Sequence, residues 1–459
     1  MTGGKENGAT GGIVVFSGGT AANSLVDVFN KILGKRGCPL QYIIPISDNG
    51  GSSSELIRVF GGPSVGDIRS RLVRLIPNNG DEERAALKTL FEYRLCSDPL
   101  KARTEWLDVV EGRHLLWSFI SSEKRELIRS VFNTLNMEIV KRARPTSVFN
   151  FGEASIGNLF LTGARLFSGS FEASIYLLSM ICSIPESISV LPAINSNFTH
   201  HISAGLADGT QIAGQVAISH PSAPTSVPDN TIRPTGDRTE DHDRIEDANL
   251  PGSLPVLRGR HAGFSKDDED DLPAPVRRVW YINPYGHEIW PLANPKALAA
   301  LHAARMVVYS IGSLYTSIVP SVVLRGVGAA LADPGPGPGP GPGAIRHKVL
   351  VLNARLDRET GGGRHPMTAT DFVAAIARAA AESQSDFSAA AHEDEYGRYV
   401  THLVHLTGPG APAVDAEELA RLGVRCVEVR GRMVGEGRRR MLRYDEAGLM
   451  EALERITDE

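Results

Sequence analysis

Two short runs of glycine and hydroxyl residues, one carrying a carboxylate, are the stretches of this chain best suited to chemistry. The first is Ser17-Gly18-Gly19-Thr20 and the second is Asp48-Asn49-Gly50-Gly51-Ser52-Ser53-Ser54. Glycine lets backbone N–H groups approach a ligand closely, and small hydroxyls add donors without bulk. A helix starting just beyond such a turn contributes free N–H groups and a dipole that favours an anion. The pattern predicts a phosphorylated ligand, in all expectation a nucleotide, bound by Gly18, Gly19, Thr20, Gly50, Gly51, Ser52 and Ser53. Asp48 is the candidate catalytic residue and the candidate metal ligand. Its carboxylate would repel phosphate unless Mg²⁺ bridged the two. It could instead accept the proton of an acceptor hydroxyl, or simply close an Asx turn.

Further candidates surround these turns. Arg58 and Arg69 could neutralise phosphate by bidentate pairing. Asp67 opens a helical pattern and suits an N-cap as well as a ligand contact. A third small-residue turn, 310–317, supplies Gly312, Ser313 and Thr316. Asn158 and Asn353 can hydrogen-bond a base or sugar, or cap structure. His200 and His201 have no ligand spacing and are read as structural. No lysine follows Gly19 in the P-loop manner, and the G-x-G-x-x-G spacing is missing, so neither common nucleotide fingerprint applies.

The elements that must position these residues are strands alternating with helices, which predicts an α/β fold. The sheet should be doubly wound, Rossmann-like and mostly parallel. Strand signals end at Phe16, Ile46, Tyr309 and Leu352, each followed by a small polar turn. In a doubly wound sheet ligands bind beyond the carboxyl ends of the strands, so the four turns should converge on one pocket. A helix is expected over 21–33, ended by Gly34 and Gly37, and another through 150–167. Residues 81–143 read as a helical insertion in which Trp106, Trp117 and Phe132 pack a core. Strand signals at 201–206 and 211–219 flank a hairpin turn. Residues 1–10 read as a disordered leader, 220–275 as a disordered polar and acidic insertion, and 334–343 as a Pro-Gly linker, with 11–459 one domain.

Composition narrows the class. The chain has 459 residues, 42% of them apolar, so it can bury a substantial core. A formal charge of −5 gives no general electrostatic attraction to nucleic acid or an anionic membrane, so neither is expected as a partner. Four widely spaced cysteines with no C-x-x-C pair argue against a zinc site or disulfide framework and point to a reducing, cytoplasmic setting. No apolar run is long enough to span a bilayer. The sequence leaves the assembly open, with a homodimer one option.

The motifs together resemble the CofD/YvcK family. That family carries G-G-G-T-G after its first strand, D-D-G-G-S-S-G after its second, and then P-x-G-D-[IL]-R. Here the matching residues are 17–21, 48–54 and 63–69, joined by Ser155-Ile156-Gly157-Asn158-Leu159, by 312–320, and by Asn353 with Glu359-Thr360. The resemblance covers roughly 11–76, 150–219 and 279–456, and its insertions suggest a fungal member. It implies one of two activities. CofD-type members are 2-phospho-L-lactate transferases, which move a phospholactyl group from a GDP-type donor to an alcohol with a divalent metal. YvcK-type members bind UDP-sugars and act in gluconeogenic growth and cell-wall homeostasis without an established reaction. Transferase chemistry is the leading expectation. Asn49, where the family has a second aspartate, removes one metal ligand or base.

Overall fold

The computed structural model describes residues 11–47, 50–144, 148–219, 254, 257, 272–333, 344–361, 365–384, 392–435 and 441–459. The leader 1–10, almost all of 220–275, the Pro-Gly run 334–343, and Asp48 with Asn49 lie outside them.

Seven strands form the central sheet: β1 (Gly12–Phe16), β2 (Leu40–Ile44), β3 (Ile188–Pro192), β8 (Ala304–Tyr309), β9 (His347–Val351), β10 (His402–His405) and β11 (Arg425–Glu428). Their order is β11-β10-β9-β8-β1-β2-β3, and every pairing is parallel. All five residues of β1 and of β9 are buried, as a strand covered by helices on both faces requires. The chain winds outward from β1 to β3 in one direction and from β8 to β11 in the other. The order therefore reverses between β1 and β8, which is where such sheets open a crevice. The doubly wound α/β expectation holds.

A second sheet, which the sequence reading did not separate from the first, is four-stranded and antiparallel. Its order is β5-β4-β6-β7, built from β4 (His201–Leu206), β5 (Gln211–Ala213), β6 (Val276–Ile282) and β7 (Glu288–Ile289). The hairpin turn between β4 and β5 is present, with Gly209 at φ +88. The expected strand over 211–219 is shorter, however, because the chain turns into the helix Gln215–Ser219 after Gly214, at φ +93. A hairpin of β12 (Gly431–Val434) and β13 (Met441–Tyr444) precedes the closing helix Glu446–Asp458.

Helices fill both faces. After the first glycine turn the chain makes a 3₁₀ turn, Ala21–Leu25, and then α1 (Val26–Arg36). Gly34 lies inside α1, and Gly37, at φ +63, ends it. α2 (Gly51–Phe60) and α3 (Gly66–Arg74) follow β2. The helical unit over 81–143 contains α4 (Glu82–Glu92), α5 (Pro99–Glu111) and α6 (Ser122–Arg142). Trp106 and Trp117 pack on Phe132 with ring centroids 5.2 and 6.2 Å apart, so these aromatics are core, as expected. The unit rests on α7 (Ile156–Ser168), whose first ten residues are all buried, and α8 (Phe171–Ile181) follows.

Candidate functional site

Four consecutive strands, β9-β8-β1-β2, end in the four small-residue turns read from the sequence. At the centre, Phe16 and Tyr309 are the last residues of β1 and β8, paired in register with rings stacked at 5.6 Å. Ser310 N–H donates to Phe16 O at 3.0 Å, which ties the two turns where they leave the sheet. The Ser310 hydroxyl beside it is buried and makes no hydrogen bond to the described residues.

The first glycine turn is gripped from two sides. A Cβ added to Gly18 would lie 2.6 Å from Ser317 Oγ, and one added to Gly19 would lie 2.4 Å from Asp67 Oδ1 and 2.7 Å from Asp67 Cα. Much of the demand for glycine here thus comes from the protein's own groups. The turn seats a carboxylate from α3 and a hydroxyl from the β8 loop. Asp67 is not the N-cap of α3: Val65 holds that position, and Asp67 falls in the first turn. The carboxylate is therefore delivered to the glycine turn while still lying near the positive end of the helix. Thr20 is exposed at the entrance to the 3₁₀ turn.

Beneath the turn lies Arg71, which the motif reading passed over. It has no exposed surface, yet its guanidinium donates to Ser17 Oγ at 3.2 Å, Gly18 O at 3.2 Å and Ala22 O at 3.4 Å. It also lies over the Tyr42 ring at 4.4 Å. Burial pushes this guanidinium down to about 10, which leaves it charged at neutral pH. Arg71 occupies the Gly18 carbonyl from behind and so fixes the orientation of that peptide.

The second turn leads into α2, which begins at Gly51 with Gly50 in extended backbone at its N-cap. Its first N–H groups thus follow the turn directly, and Ser53 is buried there. Arg58, near the other end of α2, gives its guanidinium to Glu55, at 2.6 and 2.8 Å, and to Val148 O at 3.3 Å. Glu55 also accepts from the Asn150 amide at 2.7 Å. These contacts give Arg58 partners within the protein. Arg69 Nε donates to Asn158 Oδ1 at 3.2 Å, and burial pushes Arg69 down to about 10. Gly157 permits this approach, since a Cβ there would meet Phe91 O at 2.5 Å and Arg69 Cγ at 2.7 Å.

On the other side of the switch point, the loops after β8 and β9 are locked together. Gly312, at φ +138, donates its N–H to Asn353 Oδ1 at 3.0 Å, and Asn353 Nδ2 returns a bond to Gly312 O at 2.8 Å. Ser313 precedes one turn of π-helix, Leu314–Ile318. Glu359 accepts from Tyr315 N–H at 2.9 Å and pairs with Thr316 Oγ1 at 2.6 Å. Burial, with Asp357 nearby, holds the Glu359 carboxyl well above the usual carboxylate range. Gly18, Gly19, Asp67, Gly312, Asn353 and Thr316 are therefore brought into one connected neighbourhood. Asn158 and Arg69 join it through α3.

Among the described residues, no group of three or more His, Cys, Asp or Glu is placed to hold a metal ion. Mg²⁺ seldom needs one, since one or two carboxylates with phosphate oxygens and waters suffice. Asp67 offers one carboxylate beside Gly19, while Asp48, the metal ligand expected from the sequence, lies outside the described residues. No helix among the described residues is long and apolar enough to cross a membrane.

Comparison with known proteins agrees with this architecture. The family model described as 2-phospho-L-lactate transferase CofD matches residues 13–430. A relative in Saccharomyces cerevisiae, named "Uncharacterized protein YNL011C", is 40% identical over 440 residues, covering 91% of this chain and 95% of its own. A Nostoc protein named "Putative gluconeogenesis factor" is 23% identical over 321 residues, covering 70% of this chain and 44% of its own. A crystal structure from Bacillus halodurans, a member of the UPF0052 family, superposes with a TM-score of 0.56 at 19% identity. It covers 96% of this chain and 99% of the other, and shares the fold.

Proposed function

This chain belongs to the CofD family, and we propose that it binds a nucleoside diphosphate-linked donor at the ends of β9, β8, β1 and β2. There it transfers a substituted phosphoryl group, of the phospholactyl type, to an alcohol. The observation that carries this reading is the grip of Asp67 and Ser317 on Gly18 and Gly19 at the point where the strand order reverses.

The backbone of Gly18 and Gly19, stiffened from below by Arg71, and the N–H groups that open α2 receive the diphosphate. Ser52, Ser53 and Thr20 add hydroxyl donors. Asn158 and Asn353 lie to the base and sugar side, with Gly312, Ser313 and Thr316 closing the far wall. Asp48 positions the acceptor hydroxyl and accepts its proton as the oxygen attacks phosphorus in line with the departing nucleoside monophosphate. Positioning and charge neutralisation supply most of the rate in such a transfer. Mg²⁺, held by Asp48 and Asp67, would supply neutralisation of the diphosphate charge.

A second reading is a sensor that binds a UDP-sugar and turns nothing over. It is favoured by Asn49 in place of a second carboxylate and by the names of the bacterial relatives. In either case the cytoplasm is the setting we propose, in keeping with free thiols at all four cysteines.

Calorimetric titration with GDP, GTP, UDP-glucose and UDP-N-acetylglucosamine, with and without Mg²⁺, tests both. Guanosine selectivity with metal dependence, reduced about tenfold in D67N, is the transferase outcome. Metal-independent uridine binding without product is the sensor outcome. Absence of binding to all four ligands would refute both.

A further inference from the structure

Glu359 is a buried acid without a base. Its carboxyl is almost entirely inside the protein, 3% exposed. Its hydrogen-bond partners all belong to the loop after β8: the Tyr315 amide and the Thr316 hydroxyl, with the Thr316 amide beside them. No salt bridge joins it to a cation among the described residues. The charged groups nearest this corner come from three directions, and none offsets it. Asp357, two residues back, is another carboxylate, and it caps the turn Arg358–Thr360. Arg358 Nε donates to Ile218 O at 3.2 Å. From the helix Ala369–Glu382, Asp371 closes a capping box with Thr368, and Arg378 donates to Arg277 O. A carboxylate left this way in low dielectric is expensive, and the cheaper solution is to keep its proton.

We infer that Glu359 works as a neutral acid, a positioning residue that latches the β8 loop against the ligand site and donates its own O–H to Thr316 Oγ1. The inference rests on the reading of the strand ends as a ligand site. Its consequence is specific. With Glu359 protonated, Tyr315 N–H donates to Oε2, Oε1–H donates to Thr316 Oγ1, and the Thr316 proton is left free for another acceptor. With Glu359 ionised, Thr316 must spend that proton on Oε1. One proton on a buried group thus decides whether Thr316, next to the Ser317 that abuts Gly18, can serve as a donor to a bound anion.

The placement of the Glu359 carboxyl carries this assignment. The 2.6 Å separation from Thr316 suits an O–H···O bond in either direction, and the absence of a cation partner among the described residues favours the acid as donor. The shift of Glu359 above the usual carboxylate range has the same cause.

Glu359→Gln mimics the neutral acid, because its NH₂ can donate to Thr316 Oγ1 while its carbonyl accepts from Tyr315. The test uses the full chain in two assays. In urea unfolding, the wild type should lose stability as pH rises from about 5 to about 9, since the folded state keeps a proton that the unfolded state has released. Glu359→Gln should flatten that slope. An unchanged slope would overturn the inference.

In calorimetry with GDP and UDP-N-acetylglucosamine, Glu359→Ala should weaken binding about tenfold or more near pH 7, and Glu359→Gln should rescue most of that loss. The rescue should persist near pH 9, where the wild type weakens. Thr316→Val should abolish the pH dependence of affinity while keeping that of stability, a split that a purely structural Glu359 would not produce. Glu359→Gln binding as poorly as Glu359→Ala, with cooperative unfolding intact, would show that the ionised acid is required and overturn the inference. If the wild type binds neither nucleotide, the ligand-site reading fails, while the unfolding slope still decides whether Glu359 is neutral.

Discussion

The two ends of strands β1 and β8 carry the same residue types and put them to opposite uses. At the carboxyl ends, Gly18 and Gly19 meet Asp67 and Ser317, with Arg71 buried below. At the amino ends, Gly11 and Gly12 line a cavity of about 160 Å³ with Arg36, Cys38, Arg305 and Thr457. The difference lies in which helix termini arrive. α2 and α3 begin at the carboxyl ends and bring the positive ends of their dipoles. α1 and the helix Glu446–Asp458 finish at the amino ends and bring carbonyls. The arginines there answer those carbonyls: Arg36 reaches Glu454 O and Asp458 Oδ1, and Arg305 reaches Thr457 O at 3.4 Å. The two guanidinium groups of this hollow are thus accounted for by helix capping, whereas the opposite end has the polarity an anion needs.

Matched substitutions at the two ends should break this comparison if it is wrong. The largest expected effect is at the buried cation. Arg71→Met orphans the Ser17 and Gly18 acceptors and should cost about 2–4 kcal/mol of unfolding free energy, together with nucleotide binding. Arg305→Met, which loses one long capping contact, should cost under about 1 kcal/mol. Comparable losses in urea titrations of the two would remove the distinction.

Next comes the glycine pair. Gly19→Ala places a methyl against the Asp67 backbone and should cost about 1–3 kcal/mol with loss of ligand affinity. Gly12→Ala, whose nearest contact is 3.2 Å away, should be milder in both measurements. Equal thermal and calorimetric effects from the two would contradict the gripped-turn geometry.

The smallest effect sharpens the amino end alone. His347, the first residue of β9, is buried with neither ring nitrogen hydrogen-bonded to the described residues, and burial pushes it down to about 4. A folded-state value below the unfolded one means that the unfolded state binds the proton more readily. Stability conferred by neutral His347 is therefore full above the ordinary histidine range and lost as pH falls through the folded value. His347→Phe should flatten that acid limb by roughly 1 kcal/mol in pH-dependent unfolding, and leave affinity at the carboxyl ends unchanged. An acid limb as steep as in the wild type would show that His347 is not the group responsible.

Much of this was legible in the chain because it is local. The apolar runs of β1, β2, β8 and β9, each followed by small residues, announced four strand ends, and parallel pairing put all four side by side. The strand signals at 201–206 and 211–219 did not disclose their sheet, since an antiparallel pairing is chosen by what packs across it. Arg58 and Arg69 looked alike as phosphate ligands; only the fold gave one to Glu55 and the other to Asn158. Arg71 lay outside every motif, and Glu359 entered only as part of a motif match, because the importance of both comes from burial and from contacts made on folding.

The order of apolar and small residues along the chain was enough to dictate a doubly wound sheet and the rim on which its glycine turns sit, because strand and turn preferences act between near neighbours. Which carboxylate touches Gly19, which cation supports Gly18, and which acid must stay protonated depended on contacts between residues tens to hundreds of positions apart. Those contacts set solvent exclusion and pairing, and therefore charge, only once the chain has closed on itself.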